Sequence, residues 1–296
     1  MKAEFMTPVV TIFDRDGGVD AAGCRKVYER LIAGGVDGLV VMGSTGEFFA
    51  MTVEQQKQVI DVAAEYKDRV RVLIGVSRMV IGEVAELADY ARAKGLDEVM
   101  VVSPYYFKFT EEALEAYYDQ VADAVQSDVL LYNFPDRTAH DLTPGLVLRL
   151  AKKHRNIVGI KDTVTEMGHT AAILRTVLPE RPDFQVYSGF DDNLVHNVMS
   201  GGRGCIGGLS NLMPERCAAW ARAVTDGDVE GMVQGQRFIN DAMALYDIGM
   251  PFIPTVKRAM RIAGVDVSET CTAPMLPLND AQDKALRALM KKLGVL

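Results

Sequence analysis

Three stretches of the sequence end an apolar run on residues able to do chemistry: NIVGIKDT at 156–163, VLLYNFP at 129–135 and GLVVMGSTGE at 38–47. In the first, Ile157, Val158 and Ile160 suit burial and Lys161 does not. A lysine there either snorkels to solvent or is held in a site, where desolvation favours the free amine that attacks a carbonyl and forms a Schiff base. Tyr132 ends the second run. A phenol beside such an amine can shuttle protons during carbinolamine collapse and carbon–carbon bond chemistry. Taken singly, Lys161 reads as the snorkelling case and Tyr132 as a core aromatic; together they have chemical content. In GSTGE, Gly43 and Gly46 permit a tight turn whose N–H groups can face an anion, and Ser44 and Thr45 add hydroxyl donors. No Walker lysine follows, so a carboxylate fits better than a nucleotide phosphate. A plain strand-to-helix turn accounts for the same five residues equally well, with Glu47 as a brace accepting loop N–H groups.

The elements that must position these residues alternate. Val/Ile/Leu-rich runs at VVTIF, GLVVMG, VRVLIGV, EVMVVS, VLLYN, NIVGI, FQVYSG and GCIGG read as eight strands of a parallel sheet buried on both faces. Between them lie helical patterns. Cys24, Val27, Tyr28, Leu31 and Ile32 share a face that Gly34 ends, Thr52 with Gln55 forms a capping box, and Thr143 followed by Pro144 starts another helix. Eight strand–helix units predict a (β/α)8 TIM barrel over residues 1–225, with 226–296 as a C-terminal helical extension packed on it. In such a barrel, strand C-terminal ends converge on one face, so Lys161 and Tyr132 become neighbours. A doubly wound open sheet is the rival, since Gly202, Gly204 and Gly207 match GxGxxG. The strand expected before those glycines is missing, however, and Cys205 and Ile206 fall inside an expected strand.

Bulk properties exclude several classes. The 296 residues are 49% hydrophobic and 24% charged with a formal net charge of −8, which fits a globular protein and lacks the footprint of a nucleic-acid binder. Cys24, Cys205, Cys217 and Cys271 are scattered, with no metal-ligand spacing, which points to a reducing, cytoplasmic setting. The start, with Lys2 and Glu4, has no signal-peptide character, and no apolar run reaches the roughly 18 residues a membrane span needs. His140, His154, His169 and His196 show neither triad nor metal spacing and read as surface or helix residues. Trp220 and the methionines read as core.

TPV near the start, then GSTGE, SPYYF, YNFP, GIKDT and SGFDD follow an order and spacing that resemble the dihydrodipicolinate synthase / N-acetylneuraminate lyase superfamily of pyruvate-dependent class I aldolases, over nearly the whole chain. The resemblance implies Lys161 as the Schiff-base lysine, Tyr132 as the proton-transfer tyrosine, and Ser44 in a hydroxyl relay that Tyr106 completes from a neighbouring subunit. It implies that Ser44 and Thr45 receive the pyruvate carboxylate, that Ile206 lies beside the pyruvyl group, and that Thr163 and Gly189 belong to the substrate site. It further implies a homotetramer that needs no cofactor or metal, because the protonated imine is the electron sink. Within the superfamily, GSTGE followed by Phe48, IKDT, and YNFP with SPYYFK are closer to the branch that cleaves 2-keto-3-deoxy sugar acids to pyruvate and an aldehyde. Arg137 of PDRT sits where the synthases hold a second carboxylate, which keeps dihydrodipicolinate synthase as the alternative; a solvated turn residue explains it too. N-acetylneuraminate lyase ranks third, because Gly208 stands where those enzymes commonly carry a hydroxyl. A non-catalytic keto-acid-binding protein ranks lower still, since a sensor needs the carboxylate nest and not the nucleophile. Of Asp191 and Asp192, one is expected to cap the following helix and the other to accept hydrogen bonds from substrate hydroxyls.

Overall fold

The computed structural model describes residues 2–296. Its strands are β1 (Glu4–Pro8), β2 (Gly38–Val41), β3 (Arg71–Gly75), β4 (Glu98–Val102), β5 (Asp128–Asn133), β6 (Ile157–Asp162), β7 (Gln185–Ser188) and β8 (Gly204–Ile206). Each pairs in parallel with the next and β8 closes on β1, giving a closed eight-stranded barrel. Helices α1 (Ala21–Ala33), α2 (Val53–Ala64), α3 (Ile81–Ala93), α4 (Glu111–Ala124), α5 (Pro135–Thr138), α6 (Pro144–Lys153), α7 (Met167–Val177), α8 (Leu194–Met199) and α9 (Pro214–Asp226) follow the strands. Then come α10 (Val229–Ala242), α11 (Ile253–Ile262) and α12 (Asp280–Lys292). Ile239, Val256, Met260 and Leu286 of these last three helices belong to the same apolar core as the barrel. No helix among the described residues is long and apolar enough to cross a membrane.

The local signals act as their chemistry requires. Thr52 and Gln55 form the reciprocal capping box of α2, Thr143 Oγ1 accepts from Leu146 N with Pro144 in the first turn of α6, and Gly34 ends α1. Cys205 and Ile206 lie within β8, so the GxGxxG match is a barrel strand and not a dinucleotide loop.

One strand is misplaced by the sequence pattern. VVTIF is a loop, and β1 is the preceding EFMTP, whose Met6–Pro8 face Gly38–Val40 and whose Glu4–Met6 face Gly204–Ile206. Val9 to Phe13 are fully buried all the same. Apolar runs report burial, and a buried connection carries the same signal as a buried strand.

The floor of the barrel is ionic. Arg71, first residue of β3, donates to Glu98, Gln185 and the Tyr187 hydroxyl and lies 3.3 Å from Glu4. Glu4 in turn accepts from Tyr187 Oη at 2.7 Å and Arg203 at 2.6 Å. Although burial pushes the Glu4 carboxyl up, these donors outweigh it and hold the group below its ordinary range.

Candidate active site

The opposite end of the barrel holds the reacting groups. A one-residue irregularity leaves Val158 of β6 without an opposite number on β5, and from there Tyr132 faces Lys161 and Asn133 faces Asp162. Without that extra residue the register would set Tyr132 against Ile160. Both side chains are buried, Lys161 to 4% exposure. Lys161 Nζ lies 4.4 Å from the centre of the Tyr132 ring, and Tyr132 Oη lies 3.3 Å from Ser44 Oγ. Among the described residues no carboxylate lies within ion-pairing distance of Lys161, which distinguishes it from the fully buried Lys257. An amine held at the cavity without an ion-pair partner is placed to act as a nucleophile.

Ser44–Gly46 form one 3-10 turn, closed by Gly46 N to Gly43 O and Glu47 N to Ser44 O. The first N–H groups of such a turn have no partner within it, so Ser44 and Thr45 present both backbone and hydroxyl donors. Glu47 follows with φ 61°, a left-handed conformation unusual for a residue with a side chain. Its carboxylate braces the turn from outside its own loop. It meets Lys257 of α11 at 2.5 Å and accepts from Thr272 N and Oγ1, with both charged side chains fully buried.

A cavity of about 310 Å³ joins these groups, and Lys161, Tyr132, Ser44, Thr45, Arg137, Thr163, Gly189, Asp191 and Ile206 all line it. Thr163 Oγ1 is buried with no hydrogen-bond partner among the described residues, a polar group left for a ligand. Gly189 is dictated by this threonine, since a Cβ there would fall 1.8 Å from Thr163 Oγ1. Arg137, in α5, is exposed at the rim with its guanidinium 5.5 Å from the Phe134 ring centre.

Tyr106 is not brought to this cavity. It is 87% exposed with φ 88°, beside the also exposed Phe107. A second, apolar recess of about 330 Å³, walled by Phe48, Val102, Tyr105 and Ile253, adjoins the first through Ser44, Phe134 and Arg137.

The helix cap expected of one of the paired aspartates is corrected. Neither caps a helix: Asp191 opens a 3-10 turn that has no side-chain cap, and its carboxylate turns inward to accept from Leu209 N at 3.0 Å and Tyr246 Oη at 2.8 Å. Each of its oxygens thus already holds one protein donor, and burial pushes its carboxyl up to about 6. Asp192 does not line the cavity. Sequence reasoning also missed the far wall, built by Tyr246, Asp247, Met250 and Phe252 ahead of α11. The Gly249–Met250–Pro251 helix breaker marks a loop there, but nothing local says that the loop returns to the barrel mouth. Gly208 leaves room for this wall, because a Cβ would meet Tyr246 Oη at 2.6 Å. Of the histidines, only exposed His196 is a plain surface residue; His140 is buried, His154 pairs with Asp119, and His169 sits between Asp141 and Asp162.

A closed (β/α)8 barrel whose mouth holds a buried, unpaired lysine beside a tyrosine–serine pair and an anion nest defines a barrel enzyme of the lyase class. The chain belongs to the dihydrodipicolinate synthetase family, whose model matches residues 1–293. It is 38% identical over 290 residues, 98% of this chain and 96% of the relative, to the probable 2-dehydro-3-deoxy-D-pentonate aldolase YjhH of Escherichia coli K12. It is 31% identical to the 4-hydroxy-tetrahydrodipicolinate synthase of Fervidobacterium nodosum, covering 98% of each chain. Among solved structures it is similar to that of YagE from E. coli K12 in complex with pyruvate, with a TM-score of 0.96, 36% identity and 99% of each chain covered. YagE is described as a putative 2-dehydro-3-deoxy-D-gluconate aldolase.

Proposed function

We propose that this protein is a Schiff-base aldolase that cleaves a 2-keto-3-deoxy sugar acid to pyruvate and an aldehyde. The observation that carries the reading is Lys161, buried and unpaired, opposite a Tyr132 whose hydroxyl reaches Ser44. Lys161 Nζ attacks the C2 carbonyl and water leaves, giving an iminium. Tyr132 takes the proton of the C4 hydroxyl, the C3–C4 bond breaks, and its electron pair moves into the iminium to give an enamine as the aldehyde departs. Protonation at C3 and hydrolysis return the lysine and release pyruvate. The substrate's C1 carboxylate rests on the Ser44–Thr45 nest, and the Thr163 hydroxyl donates to the same end of the molecule.

The charge of the cavity lining supports a hydroxylated tail. Besides Lys161 the cavity carries one basic side chain, Arg137, against Asp136, Asp191 and Asp247. That balance disfavours a second carboxylate such as aspartate semialdehyde brings. The names of YjhH and YagE point the same way. Arg137, without an ion pair among the described residues, is what favours the alternative, a dihydrodipicolinate synthase. We read the protein as cytoplasmic from its scattered cysteines, and as a homotetramer from its family resemblance. Tyr106 then acts across an interface, a reading that its exposure and the apolar recess beside Ser44 support.

Pyruvate with borohydride is expected to leave a reduced pyruvyl group on Lys161, absent in Lys161→Ala. Pyruvate release is expected from 2-keto-3-deoxy sugar acids and not from N-acetylneuraminate, with little condensation onto aspartate semialdehyde. A label on Lys108 or Lys257, or efficient condensation that Arg137→Ala abolishes, overturns the reading.

A further inference from the structure

Behind the reacting pair, on the side facing the helices, lies a polar cluster that the proposed chemistry does not use. Asn133 and Asp162 directly follow Tyr132 and Lys161 and face each other across β5 and β6. Strand alternation turns them away from the cavity. Asp162 is completely buried, and its carboxylate accepts from Asn133 Nδ2 at 2.8 Å, His169 Nδ1 at 3.0 Å and Thr170 Oγ1 at 2.5 Å. The same Asn133 amide donates to Asp141 Oδ1 at 2.6 Å, while its Oδ1 accepts from Leu142 N. His169 Nε2 lies 3.1 Å from Asp141 Oδ2, close in distance but off-line in angle, so charge rather than a directed hydrogen bond is the main attraction there.

Each nitrogen of His169 therefore faces a carboxylate: Asp162 from β6 and Asp141 from the loop between α5 and α6. Among the described residues no other charged side chain pairs with the ring. Only an imidazolium has a proton for both sides; either neutral tautomer sets a lone pair against a carboxylate. Burial pushes the imidazole's affinity for its proton down, but Asp141 and then Asp162 outweigh it and hold the group up to about 10.

We propose that His169, as an imidazolium held between two carboxylates, is a positioning residue that clamps the ends of β5 and β6 and so holds Tyr132 and Lys161 in register for reaction. The inference rests on the aldolase reading for what is being positioned. The clamp joins β5, β6, α7 and the α5–α6 loop, and it meets the strands at Asn133 and Asp162, which adjoin the reacting pair. Loss of the His169 proton leaves Asp141 and Asp162 repelling each other behind the site, so activity declines on the alkaline side for a reason separate from the reacting groups themselves.

Three measurements test this. Nitrogen-15 NMR of the histidine side chains of the wild type, at about pH 8, is expected to show both His169 nitrogens protonated, where an ordinary histidine is neutral. A neutral ring overturns the proposal. His169→Gln is expected to lower kcat for 2-keto-3-deoxygluconate at least about tenfold, because small misplacement of reacting groups is costly, with the KM much less affected. Asp141→Asn, at a half-exposed position where an amide oxygen can still accept from Asn133, is expected to shift the alkaline limb of the kcat profile to lower pH by weakening the hold on the proton. Should His169→Gln fail to fold, the Asp141→Asn profile decides. An unmoved limb, or a His169→Gln enzyme that keeps its kcat while losing only thermal stability, makes the cluster structural and sinks the proposal. Failure of pyruvate and borohydride to label wild-type Lys161 is a different result: it overturns the aldolase reading, and the positioning role with it, whatever the NMR state of His169.

Discussion

The two ends of the barrel use charge in opposite ways. On the floor, Arg71, Glu4, Glu98 and Arg203 are bound to one another, and Tyr187 and Gln185 fill the remaining donor and acceptor positions. At the mouth, Lys161 has no carboxylate, Arg137 has no ion pair and the Thr163 hydroxyl has no partner among the described residues. Yet one layer behind the mouth saturation returns, in Glu47 with Lys257 and in Asp162 with His169 and Asn133. The charged groups that hold the site are paired, whereas Lys161, Arg137 and Thr163 at the cavity are left without such partners. An unsatisfied buried polar group costs stability, so its retention is informative where it lines a cavity.

The sharpest way to break this contrast is at the mouth. Tyr132→Phe is expected to lower kcat by roughly two to four orders of magnitude, the usual size of a general acid–base contribution, with little change in unfolding free energy. Near-normal turnover in that variant makes Tyr132 a packing residue. One layer behind, Lys257→Met leaves the Glu47 carboxylate buried without a countercharge, and urea unfolding is expected to show a loss of about 3–5 kcal/mol. Adding Glu47→Gln is expected to recover part of it; a single variant as stable as wild type removes the brace from the account. On the floor, Arg71→Met is expected to cost about 2–3 kcal/mol, less than a fully enclosed pair because the arginine retains some solvent contact and Glu4 keeps Arg203, with kcat within about twofold of wild type. A large fall in kcat would show that the two ends are coupled. The smallest effect belongs to the rim: Arg137→Ala is expected to change kcat/KM for the best sugar acid by about 1 kcal/mol or less, since an exposed cation facing hydroxyls contributes little.

Much of the fold was legible because periodicity and turn chemistry are local. Eight apolar runs, the capping box at Thr52 and the Thr143–Pro144 start each report on a few neighbouring residues, and the barrel follows from their alternation. The VVTIF loop shows the limit, since burial leaves the same mark on a strand and on a connection packed against one. Lys161, Tyr132 and the GSTGE turn were readable for a related reason: each is a polar residue or turn at the end of an apolar run, and a barrel sends all such ends to one face.

What the sequence by itself determined, then, is the alternation of elements and the kinds of chemistry offered at strand ends. Tertiary structure alone decided which of those groups stay free. The extra residue at Val158 sets the register that brings Tyr132 opposite Lys161, and no local pattern announces it. Asp191 is tied at the cavity wall to Tyr246, 55 residues later in the chain. Lys257 and Glu47 are 210 residues apart and meet in a dry interior, and His169 acquires its two carboxylates from a strand end and a loop. Electrostatic partners are set by distance in space and by the water excluded between them, and a linear sequence contains neither.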